Sequence, residues 1–318
     1  MNLKALLLSV LACSAMSAFA QTAFPNKPLK FVVPFPAGSA TDTVGRILAQ
    51  AMSEELKQPI AVENKAGSNG IIGADSVKQA AGDPYTLLVT TSTTQAAVVS
   101  LYKKLSYDPM KDFTPVGKIG QTGFILMVKP DFPAKDMKEF IAYAKANPGK
   151  LNYGHGSSGS WVSAALMSEA AGINTVGIAY RGIPPAMTDL LGGQVQFVFA
   201  DVGNAVSQMN GGLMRGLAIT TAKRAGKAPS VPPIADTIKD YDISAWFALM
   251  APAGIPADAS KKLNDTLQTV LAKTPVREKL AAAGIDMDVQ DSAALARTIE
   301  AEIKKWAVWV KVAGITPE

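Results

Sequence analysis

The sequence predicts an α/β protein built as two lobes, and three observations predict it. Short apolar runs alternate with segments whose apolar residues recur every three or four positions, which is the pattern of parallel strands joined by helices. Loops of small and hydroxylated residues follow several of the strands. A long extended apolar stretch at residues 109–130 and a return strand at 243–251 carry the chain out of one such series and back into it. Two lobes joined by two crossovers enclose a cleft, with the strand C-termini at its walls.

The first element is the strand at residues 31–33, Phe31-Val32-Val33, which stops at Pro34. Thr41-Asp42-Thr43 then opens a helix in which Val44, Ile47, Leu48, Ala51, Met52 and Leu56 share one face, with Thr41 or Asp42 as its N-cap. A strand at 60–62 and a helix from about Ile71 follow. The strand at 85–90 runs into the hydroxyl cluster Thr90-Thr91-Ser92-Thr93-Thr94. In the second series a helix at 137–146 precedes a strand at 151–153, a Gly/Ser loop and a helix from about Ser160 to Ala171. Strands at 176–180, 195–199 and 217–220 follow, with a helix at 185–191 started by proline. Helices at 258–273 and 292–312 finish the chain and are expected to pack on the first unit. The division is residues 25–123 and 248–318 in one lobe and residues 124–247 in the other.

Residues 1–20 read as a secretory signal peptide. Lys4 precedes an apolar run, and Ala18-Phe19-Ala20 fits a small-residue cleavage site after Ala20. The run is shorter than the roughly 20 residues a membrane span needs. Cys13 leaves lipidation as the alternative, through the loose match of Val10-Leu11-Ala12-Cys13 to a lipoprotein site. Cys13 is also the only cysteine, so cleavage leaves a mature chain without disulfides or thiol chemistry, stabilised by its core. The formal net charge of +5 is spread over helices rather than clustered, which argues against nucleic-acid binding.

Two loops carry the chemistry. A buried strand that delivers Pro36-Ala37-Gly38-Ser39 to a helix start gathers free N–H groups and a partial positive charge, which makes an anion seat. The second loop, Gly154-His155-Gly156-Ser157-Ser158-Gly159-Ser160, matches G-x-G-x-x-G formally. No acidic residue ends the next strand and the unit does not open its lobe, so a smaller anion fits better than a nucleotide. His155 is the only histidine, which discounts a transition-metal site. A hydrolase using Ser157 or Ser158 with His155 is the enzymatic alternative, but no G-x-S-x-G elbow is present and no orienting acid is evident. Arg181 either pairs with a carboxylate or is solvated. Asp201 caps the next helix or orients a polar group. Trp161, Trp246 and Phe247 read as core or cleft wall.

Several ordered stretches carry a resemblance. They include Lys30-Phe31-Val32-Val33-Pro34-Phe35-Pro36-Ala37-Gly38, Thr41-Asp42, Val62-Glu63-Asn64-Lys65-Ala66-Gly67, Tyr107-Asp108-Pro109 and Lys111-Asp112-Phe113-Thr114-Pro115-Val116. Farther on come Leu151-Asn152-Tyr153-Gly154, Tyr180-Arg181-Gly182, Thr188-Asp189-Leu190-Leu191-Gly192-Gly193-Gln194-Val195 and Ala251-Pro252-Ala253-Gly254. Together they resemble the Bug (TctC-like) family, the extracytoplasmic receptors of tripartite tricarboxylate transporters, over nearly the whole mature chain.

The resemblance implies a type II periplasmic binding-protein fold that closes on a small carboxylate, without catalysis, cofactor or metal. It implies a monomer that hands its solute to membrane components of the transporter, and presentation of the ligand to a sensor partner is compatible with the same fold. The residues expected at the site are Phe35, Ala37, Gly38, Ser39, Ala40, Thr41, Asp42, Ser92, His155, Ser157, Ser158, Gly159, Ser160, Arg181 and Asp201. Ser39 stands where the family commonly has a second glycine, and His155 where it often has a small residue.

Overall fold

The computed structural model describes residues 24–318. The expected signal peptide, its cleavage point after Ala20 and Cys13 lie outside the described residues.

Strand β1 (Leu29–Val33) is almost wholly buried and ends where Pro34 supplies no N–H for a further ladder bond. Helix α1 (Ala40–Leu56) follows. Its cap is Ser39, not Thr41 or Asp42: the Ser39 Oγ accepts from the Asp42 N–H at 3.2 Å. Asp42 therefore sits inside the first turn, where a carboxylate complements the helix dipole. Then come β2 (Ile60–Asn64), α2 (Ile71–Lys78) and β3 (Thr86–Thr91). Strand β3 leads into a π-helical turn (Thr93–Ala97) continued by the short helix α3 (Val98–Leu101).

The apolar stretch read as one crossover is two strands in two sheets. Strand β4 (Phe113–Thr122) belongs to the first sheet and β5 (Phe124–Val128) to the second, with Gly123 alone between them. The second lobe continues through α4 (Met137–Ala146), β6 (Leu151–His155), α5 (Ser158–Ala171), β7 (Thr175–Ala179), α6 (Ile183–Leu191), β8 (Phe197–Asp201), α7 (Val202–Asn210) and β9 (Arg215–Ile219). Its sheet runs β7-β6-β8-β5-β9. The chain returns along β10 (Ala245–Pro252), antiparallel to both β3 and β4.

The two passages between lobes are tied together by Thr220, which is fully buried. Its N–H donates to the Phe124 carbonyl at 2.8 Å and its hydroxyl accepts from the Phe124 N–H at 2.9 Å. The same hydroxyl donates to the Ile243 carbonyl at 2.7 Å.

The end of the chain holds two elements the sequence pattern did not disclose. Helices α8 (Ala257–Ala272) and α9 (Thr274–Ala282) lead to β11 (Asp286–Gln290), an edge strand in the first sheet, ordered β11-β4-β10-β3-β1-β2. Asp286 and Asp288 hide its strand character from an apolar pattern while protecting an exposed edge. Helix α10 (Ser292–Val312) packs on both lobes rather than on the first alone. Leu295 and Ile299 join a first-lobe cluster with Val32, Leu88 and Trp246. Trp306 and Val310 join a cluster dominated by second-lobe residues such as Phe140 and Phe197.

Trp306 is fully buried and its indole N–H reaches Glu302 at 3.1 Å. Trp306→Ala is expected to cost about 3–5 kcal/mol of stability. Equilibrium denaturant unfolding measures this, and a cost below about 1 kcal/mol would show that α10 is not a structural tie.

Candidate functional site

The cleft between the lobes encloses about 420 Å³, its mouth included. The first lobe contributes Phe35, Ser39, Ala40, Thr41, Thr91 and Thr93 to its wall. The crossover strands add Thr122, Phe124, Ala245 and Phe247, and the second lobe adds Gly156, Ser157, Ile183 and Asp201. At two of their contacts the lobes come especially close. A Cβ on Gly182 would lie 2.5 Å from the Pro36 ring, and one on Gly203 would lie 2.3 Å from the Ala283 carbonyl oxygen. Neither approach leaves room for a side chain on the glycine.

Each lobe aims the start of one helix at this region. In α1 the cap takes up the Asp42 amide, and the Ser39 carbonyl accepts from Thr43 at 3.0 Å. The amides of Ala40 and Thr41 have no acceptor among the described residues. In α5, Ser157 is the N-cap and forms a reciprocal capping box with Ser160. The Ser160 hydroxyl accepts from the amides of Gly156 and Ser157, each at 3.1 Å. The amides of Ser158 and Gly159 are the ones left without an acceptor among the described residues. Two N–H groups and a helix dipole from each lobe make a place for negative charge.

The charged side chains near α1 shape the loop instead of facing the cleft. Asp42 accepts from the Gly38 N–H at 3.0 Å, from Arg46 Nε at 3.0 Å and from Asn64 Nδ2 at 2.9 Å. Asn64 Nδ2 also donates to the Phe35 carbonyl at 3.0 Å. Burial pushes the Asp42 carboxyl up, but the hydrogen bonds from Arg46, Asn64 and Gly38 outweigh it and hold the pKa below the usual value. Asp42 is thus a brace for the loop. Asp201 caps α7, accepting from the Asn204 N–H at 3.2 Å and from its side-chain amide at 3.0 Å. Burial pushes its carboxyl pKa up.

Of the residues singled out from the sequence, Phe35, Ser39, Ala40, Thr41, Ser157 and Asp201 line the cleft. Ala37 and Gly38 are exposed on the loop, and Arg181 is exposed outside the cleft wall. Gly159 and Ser160 belong to the first turn of α5. Ser92 and Ser158 are fully buried. His155 ends β6, away from the cleft wall, with its ring stacked on Trp161 at 5.0 Å between centroids. Among the described residues neither Ser157 nor Ser158 hydrogen-bonds the His155 ring. No group of ligating side chains for a metal exists among the described residues.

The walls supplied by Thr122, Phe124, Ile183 and Ala245 escaped the sequence reading. They belong to strand ends and a helix start that become a wall only once the two sheets are assembled. Thr91, Thr93 and Phe247 were visible as a hydroxyl cluster and an aromatic.

The fold and the site define a two-lobed α/β solute-binding protein. The chain belongs to the tripartite tricarboxylate transporter family of receptors, whose profile matches residues 44–315. It is 33% identical over 299 residues to protein BugT of Bordetella pertussis, covering 92% of this chain and 90% of that one. The structure of R. palustris Rpa4515 with adipate superposes with a TM-score of 0.90 at 31% identity, covering 93% of this chain and 100% of the other. That of MatC from Rhodopseudomonas palustris with bound malate gives 0.83 at 32% identity, covering 90% and 100%. No helix among the described residues is long and apolar enough to cross a membrane.

Burial lowers the His155 pKa from 6.5 to about 4, so the folded protein keeps this ring neutral. The unfolded chain takes up a proton first as pH falls. The contribution is full above about pH 6.5 and lost progressively towards pH 4. His155→Gln removes this dependence. The stability difference between wild type and variant is expected to shift by on the order of 3 kcal/mol across that window. A pH-independent difference in urea unfolding would show that the ring titrates freely.

Proposed function

We propose that this protein captures a small carboxylate in the cleft by closure of its lobes and delivers it to the membrane components of a tripartite tricarboxylate transporter. The observation that carries the reading is the pair of helix starts, one per lobe, each with two amides that have no acceptor among the described residues, beside a cleft whose wall contains no lysine or arginine among those residues. Backbone dipoles then supply the attraction for the anion, and the aromatic and aliphatic wall supplies the contact with its body. The adipate and malate complexes of related proteins support carboxylate as the ligand class. In this reading Ala40, Thr41, Ser157, Ser158 and Gly159 hold the carboxylate, and the mature protein acts as a periplasmic monomer after cleavage following Ala20.

Closure follows from the division of the shell between lobes, because contacts to both halves exist only in the closed form. The test is a thermal-shift panel of adipate, 2-hydroxyadipate, succinate, malate, aspartate and benzoate, followed by small-angle scattering with the best binder. The expected result is a stabilisation of about 2.7 kcal/mol at a hundredfold excess over Kd, together with a smaller radius of gyration. A panel without any shift in melting temperature would overturn the receptor reading, and unchanged dimensions at saturation would overturn closure.

A further inference from the structure

Thr90, Thr91, Ser92, Thr93, Thr94 and Gln95 are six consecutive polar residues, and all are buried, with at most 5% exposure. They span the end of β3 and the beginning of the π-helical turn. Such turns are rare and concentrate at functional sites. Most of the run is satisfied locally. The Thr90 and Thr94 hydroxyls pair with each other. Thr91 Oγ1 accepts from the Thr93 N–H at 3.2 Å, and the Thr94 carbonyl accepts from the Tyr107 hydroxyl at 2.5 Å.

Ser92 Oγ and both amide atoms of Gln95 have no partner among the described residues. The Ser158 Oγ, at the start of α5, is in the same condition. Buried polar atoms are nearly always paired, and four of the nine unpaired ones among the described residues fall on Ser92, Gln95 and Ser158. None of the three residues is itself in the cleft wall, but their chain neighbours are. Thr91 and Thr93, on either side of Ser92, line it, as do Gly156 and Ser157 just before Ser158. Gln95 follows Ser92 by three residues, and its turn packs against α5.

We propose that Gln95 is the specificity-determining residue of this cleft, acting with the Ser92 and Ser158 hydroxyls on solutes that carry a hydroxyl or amine beside a carboxylate. The proposal rests on the carboxylate-receptor reading. The Gln95 amide presents a donor and an acceptor side by side. Its NH₂ group satisfies a carboxylate oxygen, and its carbonyl oxygen takes a hydrogen bond from the neighbouring hydroxyl or ammonium. A plain dicarboxylate leaves that carbonyl unpaired, and leaving a buried acceptor unpaired is what discriminates strongly between near-identical ligands. The serine hydroxyls rotate to donate or accept and serve either group.

The test is Gln95→Met, which keeps chain length and flexibility and deletes both polar atoms, compared with wild type in the mature protein. Calorimetry measures affinity for succinate, malate and aspartate, and for adipate and 2-hydroxyadipate. The wild type is expected to prefer the hydroxylated or aminated member of a series by about tenfold. Gln95→Met is expected to lose that preference and, without added solute, to melt at a higher temperature than wild type, since it no longer buries an unpaired amide. Ser92→Ala, the smaller change, is expected to weaken binding without lowering the melting temperature. Equal wild-type affinities within a series, a preference retained in Gln95→Met, or a lowered melting temperature in both variants would overturn the proposal. Wild-type protein that binds none of the carboxylates would instead overturn the receptor reading beneath it.

Discussion

The close backbone approach of the two lobes is the constraint on which the rest of the structure depends. Pro36 lies against Gly182, and the Ala283 carbonyl lies against Gly203, at separations that leave no space for a Cβ. Both contacts flank cleft residues: Phe35 precedes Pro36, Ile183 follows Gly182, and Asp201 lies two residues before Gly203. The starts of α1 and α5 thus reach one shared space, and neither lobe alone would enclose it. Thr220 ties the two crossover strands through hydrogen bonds at the edge of the second lobe, and α10 joins the lobes through a common core.

Within that frame the electrostatics are economical. The basic side chain nearest the first loop, Arg46, is paired with Asp42, and Asp42 holds Gly38 and Asn64. The ion pair stiffens the loop and leaves the amides of Ala40 and Thr41 to face negative charge. The capping box of Ser157 and Ser160 plays the same part in α5, taking up the amides of Gly156, Ser157 and Ser160. Attraction from amides and dipoles is short in range and directional, so it selects for the position of an oxygen atom more than for net charge. In the proposed reading, hydroxyls and the Gln95 amide then distinguish what is attached to the carboxylate.

Much of this was legible in the sequence because it is local. The alternation of strand and helix, the Gly/Ser loop and the small-residue loop before α1 are patterns of neighbouring residues, and they led to Ser39, Ala40, Thr41 and Ser157. The cap of α1 was misplaced by two or three residues, since Ser39, Thr41 and Asp42 are all competent caps and the choice depends on Asp42 being recruited by Arg46 and Asn64. Arg181 seemed a natural carboxylate partner by type, yet it ends outside the cleft wall because its strand, β7, is the edge of its sheet. Strand β11 and the bridging role of α10 were hidden for another reason: acidic residues mask an edge strand, and an amphipathic helix does not say how many partners its apolar face will meet. Gln95 was not singled out because one polar residue after a strand carries no sign of its own burial.

The central claim is that both helix starts hold the same anion. Titrating isotope-labelled protein with the best-binding carboxylate, while following backbone amide resonances, tests it directly. The amides of Ala40 and Thr41 in one lobe and of Ser158 and Gly159 in the other are expected to shift together with a single Kd. Shifts confined to one helix start, with the other unmoved at saturation, would contradict the account.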